Sequence, residues 1–321
     1  MIYIIVLNWN GINDTLPCLD SLLKLKYKNV KIVVCDNGSA DGSIEKIHEW
    51  YNFLDLNIKN NFSCIEIDRD KVSSFKTINN TPSIYVINIG ENLGYAGGNN
   101  VGINFALNQN DMDSVWILNN DTVVDENSLS LMRSALEYDE KIGICGSRLV
   151  YFDERDKLQG LGGVFNPVFC VSKHYKAYER ADSTFDDESV SLYIDYVIGA
   201  SMLITKEVLE SIGGLCEDYF LYYEEIDYCL RAKSKGYKIF VCTESIVYHK
   251  EGASTKKNQK GVLADYYSVR NRLLIAKKFY PFWYLSVYFS IFLVLFNRIR
   301  RKEYNKAVNV LKILTFRKFK K

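Results

Sequence analysis

The sequence predicts an open α/β layer fold on a mostly parallel sheet, and three observations carry that prediction. Short apolar runs at residues 2–7, 30–35, 84–87 and 115–118 read as buried strands. Helical spacing or helix-start signals fill much of the chain between them, and strands alternating with helices build parallel sheets. Polar clusters at Asn8-Trp9-Asn10-Gly11, Asp36-Asn37-Gly38-Ser39 and Asn119-Asn120-Asp121 each follow a strand directly. In a parallel sheet they share the carboxyl edge, where such sheets bind ligands.

The elements follow in order. Residues 2–7 are the first strand, with Asn8 to Gly11 as its exit loop. Leu16, Leu19, Leu22 and Leu23 have helical spacing. Residues 30–35 form a second strand that stops at a turn cluster. Asp41 or Ser43 is the expected cap of a helix running to about Trp50. Residues 51–83 are polar, with one strand fitting at 63–67. After the strand at 84–87, a Gly-rich stretch over 92–100 leads into a helix ending near Leu107. The strand at 115–118 is followed by a helix over roughly 126–138. Beyond it we expect strand segments within 193–205, a helix over 224–235 and short strands at 238–242 and 245–248.

The 321 residues suffice for a large buried core. With 48% hydrophobic and 25% charged residues, pervasive disorder and a small disulfide scaffold are excluded. Lys plus Arg is 40 and Asp plus Glu is 39, a balance that argues against a nucleic-acid binder. The eight cysteines show no CxxC spacing and read as reduced core thiols of a cytosolic protein. The first seven residues lack a basic region and a small-residue cleavage site, and do not read as a signal peptide.

The charge is unevenly placed. Residues 298–321 hold ten basic residues and one acid, Glu303. Just before them, residues 279–296 carry no charge and nine aromatic residues. A helix of that length extends ~27 Å, near the lower limit for crossing a bilayer. Apolar and basic segments in series suit a membrane surface, by lying in it or spanning it. A buried helix or a protein-binding face is the alternative.

Five further features carry chemistry. Asp121, at the end of a strand, suits a divalent cation beside a diphosphate, since Mg²⁺ takes one or two carboxylates plus phosphate oxygens. Asn119, Asn120 and Asp121 also suit a plain turn. Glu224, Glu225 and Asp227 put three carboxylates in four residues, bounded by Phe220-Leu221-Tyr222-Tyr223 and Cys229-Leu230. Repulsion between them can raise a pKa toward base function, while acids at a helix start are also simply stabilising. His249 follows a strand and suits a metal or a phosphate, or an ordinary strand end. Asp36 can accept from a nucleoside or close a turn to Gly38, and the 94–100 loop can let backbone approach a ligand. His48 and His174 have no such context.

Read together, the stretches 6–11, 33–43, 92–102, 116–122 and 219–231 resemble glycosyltransferase family 2, in its bacterial rhamnosyltransferase-like branch, over about residues 1–255. The resemblance implies the GT-A fold, a Rossmann-like, mostly parallel central sheet with helices on both faces. Residues 1–122 would be the nucleotide-sugar half and 123–255 the acceptor and catalytic half. Residues 256–321 would form a helical, membrane-associating extension. Asp36 and Asn37 would meet the nucleoside, with Asn8, Trp9 and Asn10 alongside. Asn92, Gly94 and Asn99 would line the donor pocket with Asn120. Asn119-Asn120-Asp121 matches the D-x-D motif, so Asp121 would bind Mg²⁺ or Mn²⁺ with Asn119 and His249. Glu224-Glu225 matches the Glu-Asp pair, so Glu225 would be the base and Asp227 its reserve. The implied reaction is inverting, metal-dependent transfer of rhamnose or a hexose from a dTDP- or UDP-linked donor. The acceptor would be a glycan, lipid-linked on polyprenyl diphosphate or at the cell surface, met at the cytoplasmic face of the membrane. An inactive membrane scaffold of the same fold and a sugar nucleotidyltransferase are the alternatives.

Overall fold

Alternation decides the first strand. In β1 (Ile2–Asn8), Ile2, Ile4 and Val6 enter one apolar layer and Tyr3 and Ile5 the other, the two-residue period of a strand buried on both faces. The computed structural model describes residues 1–77, 82–250 and 258–315. After β1 come α1 (Ile12–Leu23), β2 (Val30–Asp36), α2 (Ser43–Phe53), α3 (Leu56–Lys59), β3 (Ser63–Asp68), β4 (Ser83–Asn88), α4 (Gly94–Leu107) and β5 (Ser114–Asn119). The second half runs β6 (Thr122–Val124), α5 (Ser128–Tyr138), β7 (Ile142–Tyr151), β8 (Leu158–Gly160), β9 (Gly163–Asn166), β10 (Val171–His174), α6 (Asp187–Tyr193), β11 (Ser201–Thr205), α7 (Lys206–Ile212), α8 (Glu224–Ser234) and β12 (Lys238–His249). Three helices close the chain: α9 (Asn258–Phe279), α10 (Tyr284–Arg300) and α11 (Tyr304–Leu314).

The main sheet has the order β3-β4-β2-β1-β5-β11-β7-β12-β6, with β8 beside β7. Strands β3, β4, β2, β1 and β5 are parallel, and so are β7 and β12. Strand β11 runs backwards between the two sets, and β6 and β8 run antiparallel to β12 and β7. The link Asn120-Asp121 takes the chain from β5 to β6, where Thr122 pairs with His249 of β12. That crossing brings two distant segments to one edge. Helix α4 lies close on the sheet because it presents glycine there: a Cβ on Gly98 would come within 2.4 Å of Leu7, and one on Gly102 within 2.7 Å of Ile5.

Several local expectations are corrected. Neither Asp41 nor Ser43 caps α2; Gly42 holds that position at φ 71°, a conformation glycine adopts freely. Asp41 instead accepts from the Ile12 backbone N–H. Within 193–205 only β11 is strand; α6 precedes it, started by Asp186, which accepts from Ser189 N at 2.8 Å. The two strands expected over 238–248 are one, β12, whose register shifts between Cys242 and Ile246. Strand β7 escapes prediction because Gly143 and Gly146 interrupt its apolar pattern; Val208 and Val197 pack where their Cβ atoms would be. The uncharged run 279–296 is not one helix: α9 ends at Phe279, and Pro281 starts a short 3₁₀ turn before α10. The boundary placed at 255/256 and the last part of the basic tail, 316–321, lie outside the described residues.

Candidate active site

The three polar clusters meet at the carboxyl edge. Asn8 stands opposite Asp36 in register, and its Nδ2 donates to Asp36 Oδ2 at 2.7 Å. Asn8 Oδ1 accepts from Thr15 Oγ1 at 2.8 Å and from Asn120 Nδ2 at 3.4 Å. Asp36 Oδ1 accepts from Ser39 N, and Asn10 Oδ1 from Ala40 N at 2.7 Å. Asn8 is fully buried, with its amide engaged by Asp36, Ser39, Thr15 and Asn120. It ties the loops together beneath the cleft, which departs from the ligand contact implied for it.

Above this brace opens a cleft of about 750 Å³, a size that suits a small-molecule substrate. Trp9, Asn37, Asn92, Gly94 and Tyr95 line it. So do Asn119, Asn120, Asp121, His249 and Lys250, and Glu224 and Glu225 with Phe220, Leu221 and Tyr222. Tyr151, Phe152, Asp153, Glu154, Gln159 and His174 line it too. Asn8, Asn10, Asp36, Asn99 and Asp227 do not line it. Asn37 and Asn92 also brace each other, Nδ2 to Oδ1 at 3.1 Å, and Asn37 Oδ1 holds Leu93 N. Asn99 lies behind the cleft, its amide donating to Tyr95 O.

Asp121 and His249 are each 8% exposed, with Oδ1 and Nε2 3.1 Å apart. His249 Nδ1 lies 2.8 Å from Gln159 Oε1. Gln159 as oriented accepts the Nδ1 proton and leaves the Nε2 lone pair facing a carboxylate oxygen. Two acceptors so close need a proton or a cation between them. Adjacent ligands on an octahedral Mg²⁺ with bonds of ~2.1 Å stand about 3 Å apart, so this donor set fits a divalent ion. Asn119, whose Nδ2 is 3.4 Å from His249 Nε2, adjoins it. Among the described residues no third His, Cys, Asp or Glu joins the pair, and phosphate oxygens and water would complete the shell. Burial pushes the Asp121 carboxyl up, but with a proton on His249 Nε2 the hydrogen bond and charge of that ring, with Lys250, hold it below the usual range.

Glu224 and Glu225 open α8, after a left-handed Tyr223 at φ 76°. Glu224 is 4% exposed and its Oε2 has no hydrogen-bond partner. Burial and the adjacent Glu225 push its carboxyl well above the ordinary range. Burial pushes Glu225 up to about 7. Neighbouring carboxyls driven to different pKa values divide into a protonated group and a base. The Tyr95 phenol is pushed up by burial and by Glu224, Glu225 and Asp121 together, so the two acidic centres act on one region. Asp227 departs from its reserve role: fully buried, it pairs with Arg231 at 2.6 Å and with Lys278, so its charge is already matched.

Tyr95, Gln159 and His174 are cleft residues that the sequence reading left unassigned. Gln159 lies on a three-residue strand with no periodic signal, and His174 on β10 outside the main sheet. Tyr95 sat inside the Gly-rich segment and was the one with a signal.

The chain is 25% identical over 216 residues to the low-salt glycan biosynthesis hexosyltransferase Agl10 of Haloferax volcanii, covering 67% of each chain. It is 22% identical to the dTDP-rhamnosyl transferase RfbF of Shigella flexneri, over 86% of this chain and 80% of that one. Among solved structures, the Pyrobaculum calidifontis mannosyltransferase PcManGT, in complex with GDP-Man and Mn²⁺, superposes with a TM-score of 0.55 at 14% identity, over 98% of this chain and 74% of that one. Residues 1–349 of S. aureus TarS give 0.52 at 13% identity, over 98% and 80%. These two likenesses bear on the fold, which is of the GT-A type. The model of "Glycosyl transferase family 2" matches residues 3–213; the chain belongs to that family and is a glycosyltransferase.

Proposed function

We propose that the enzyme transfers a sugar, with inversion, from a nucleotide-diphosphate donor to a glycan hydroxyl. The observation that carries the proposal is one cleft holding both a carboxyl raised to about 7, Glu225, and the opposed pair Asp121–His249. Glu225 takes the proton from the acceptor hydroxyl, whose oxygen attacks the anomeric carbon opposite the leaving group. The nucleotide diphosphate departs. A base titrating near neutrality matches the working pH of a general base. Glu224, protonated, adds no second negative charge beside it. Asp121 and His249, with Asn119 beside them, would hold Mg²⁺ or Mn²⁺, with Gln159 orienting the imidazole. Such an ion supplies charge neutralisation at the departing diphosphate.

Trp9, Asn37, Asn92 and Gly94 are the donor side in this reading. The names of Agl10 and RfbF favour a hexose or rhamnose, on UDP or dTDP. Tyr151, Phe152, Asp153 and Glu154 offer ring faces and carboxylates to the acceptor's hydroxyls. We assign the acceptor to a lipid-linked glycan because the last helices expose an apolar face. Helix α10 belongs to the one described segment long and apolar enough to cross a membrane, 281–300, of which only 11% is buried. It carries its own inner contacts through Val287 and Ile291, which favours lying in the interface of a cytoplasmic membrane face over spanning it. The test is a melting-temperature panel of UDP, dTDP, GDP and CMP with Mn²⁺, Mg²⁺ or EDTA. A metal-dependent rise with one nucleotide, followed by transfer from its sugar, is expected. No rise with any nucleotide in folded protein would favour an inactive scaffold.

A further inference from the structure

The C-terminal extension does more than bear a surface. Its first helix, α9, grips the loop that aims the two glutamates. Asn271, fully buried, donates from Nδ2 to the carbonyls of Tyr219, Leu221 and Tyr222 at 3.0, 2.8 and 2.9 Å. Two N–H groups thus serve three acceptors, one of them shared. Arg270 Nη1 donates to Asn271 Oδ1 at 3.0 Å and to Asp218 O at 2.6 Å, which fixes the orientation of the amide. Tyr267 stacks on Phe220, with ring centroids 4.8 Å apart.

The gripped loop needs holding. Phe220, Tyr222 and Tyr223 all take positive φ, 63°, 68° and 76°, although none is glycine and such backbone is held only where surroundings enforce it. Its carbonyls therefore turn inward, toward Asn271. Directly after it come Glu224 and Glu225, and Phe220 O also accepts from Tyr95 N at 2.7 Å. The geometry points to Asn271 as a positioning residue for the catalytic glutamates: it holds the 219–223 loop in the conformation that presents them to the cleft. This inference rests on the transferase reading above, with Glu225 as base.

The test is Asn271→Asp, nearly isosteric, which sets a carboxylate against three carbonyls. Since a misplacement of about 1 Å can cost ~100-fold, kcat for transfer should fall about that much while donor KM stays within about twofold. Amide exchange across 219–225 should rise, with exchange in β1 and β5 unchanged. A folded Asn271→Asp enzyme with kcat within about twofold of wild type overturns the inference; so does equal loss of kcat and donor affinity. Should Asn271→Asp fail to fold, Arg270→Gln decides, since it frees the amide from its lock: an expected drop of roughly tenfold in kcat supports the role, and unchanged kcat overturns it. Absence of transfer by the wild type would fault the transferase reading. Exchange over 219–225 then judges the grip alone, raised in the variants if it holds and unchanged if it does not.

Discussion

His249 Nε2 lies 3.1 Å from Asp121 Oδ1 at the edge of the cleft, although Asp121 follows β5 and His249 ends β12, far apart in the chain. The contact is a product of topology. Strand β6 skips from the side of β5 to the side of β12, and Thr122 then pairs with His249. The same arrangement turns the other ring nitrogen toward Gln159 at 2.8 Å.

Gln159 should therefore govern metal-assisted nucleotide binding without touching the nucleotide. Removing a partner that orients a histidine ligand commonly costs 10–100-fold in metal affinity. Gln159→Leu is expected to raise the Mn²⁺ concentration needed for half-maximal nucleotide stabilisation by about that factor. His249→Ala should do at least as much. Calorimetric titration of Mn²⁺ in saturating nucleotide reads both. Equal metal dependence in Gln159→Leu and wild type would remove the orienting role of Gln159, and equal dependence in His249→Ala would remove His249 from the proposed ion site.

Glu225→Gln should leave nucleotide binding intact and lower transfer by ~10²- to 10⁴-fold, the usual contribution of a general base. In the wild type, kcat/KM should climb with pH through about 7, where Glu225 loses its proton. Stopped assays from pH 5 to 9 check the rise. A flat profile across that range, with chemistry rate-limiting, would assign the proton to another group.

The same residue should weaken the fold at high pH. Its carboxyl is raised in the folded state, so between about 4.5 and about 7 the folded protein holds a proton that the unfolded chain releases. Stability then falls as pH rises through that window. Glu224, raised further by burial, adds in the same direction. Glu225→Gln, which cannot ionise, should melt above wild type at pH 8 and close to it at pH 5. Melting curves at the two pH values decide; a constant difference would mean that ionisation is not the cause.

How much of this was readable in advance follows from the kind of signal each part leaves. The parallel half was readable because β1, β2, β4 and β5 are largely apolar runs ending in Asn or Asp, and burial on both faces demands that pattern. The Glu224-Glu225 pair and His249 were visible as clusters or strand ends. Strand β7 was not, since its glycines serve neighbours distant in sequence, Val208 and Val197. The task of Asn8 was also hidden: an Asn after a strand looks the same whether it faces a ligand or, as here, braces Asp36, Thr15 and Asn120. Asn271 carries no local mark, because its partners are the carbonyls of a loop far up the chain.

Helix α10 turns Val287 and Ile291 inward and exposes Leu285, Phe289, Leu293 and Phe296, each more than 60% accessible. In α11, Tyr304, Val308 and Leu311 continue an exposed apolar stripe, while Ala307, Val310 and Leu314 are buried. The two helices are fastened in this pose: Tyr288 OH donates to Leu314 O at 3.1 Å, and Arg298 pairs with Glu303 and with Asp265. Spanning would strip α10 of these contacts, whereas lying flat keeps them and buries only the outer face. In that pose Arg298, Arg300, Arg301 and Lys302 would lie at headgroup level, where anionic lipid would attract them. Full burial of one Phe or Leu side chain is worth ~1.5–3 kcal/mol, so Phe289→Glu with Leu293→Glu should reduce partition into anionic vesicles by at least 100-fold. The fold should persist, since both side chains point outward. Neutral vesicles or high salt should weaken wild-type binding. Vesicle sedimentation reads these effects; unchanged partition of the double variant would mean that this face meets something other than lipid.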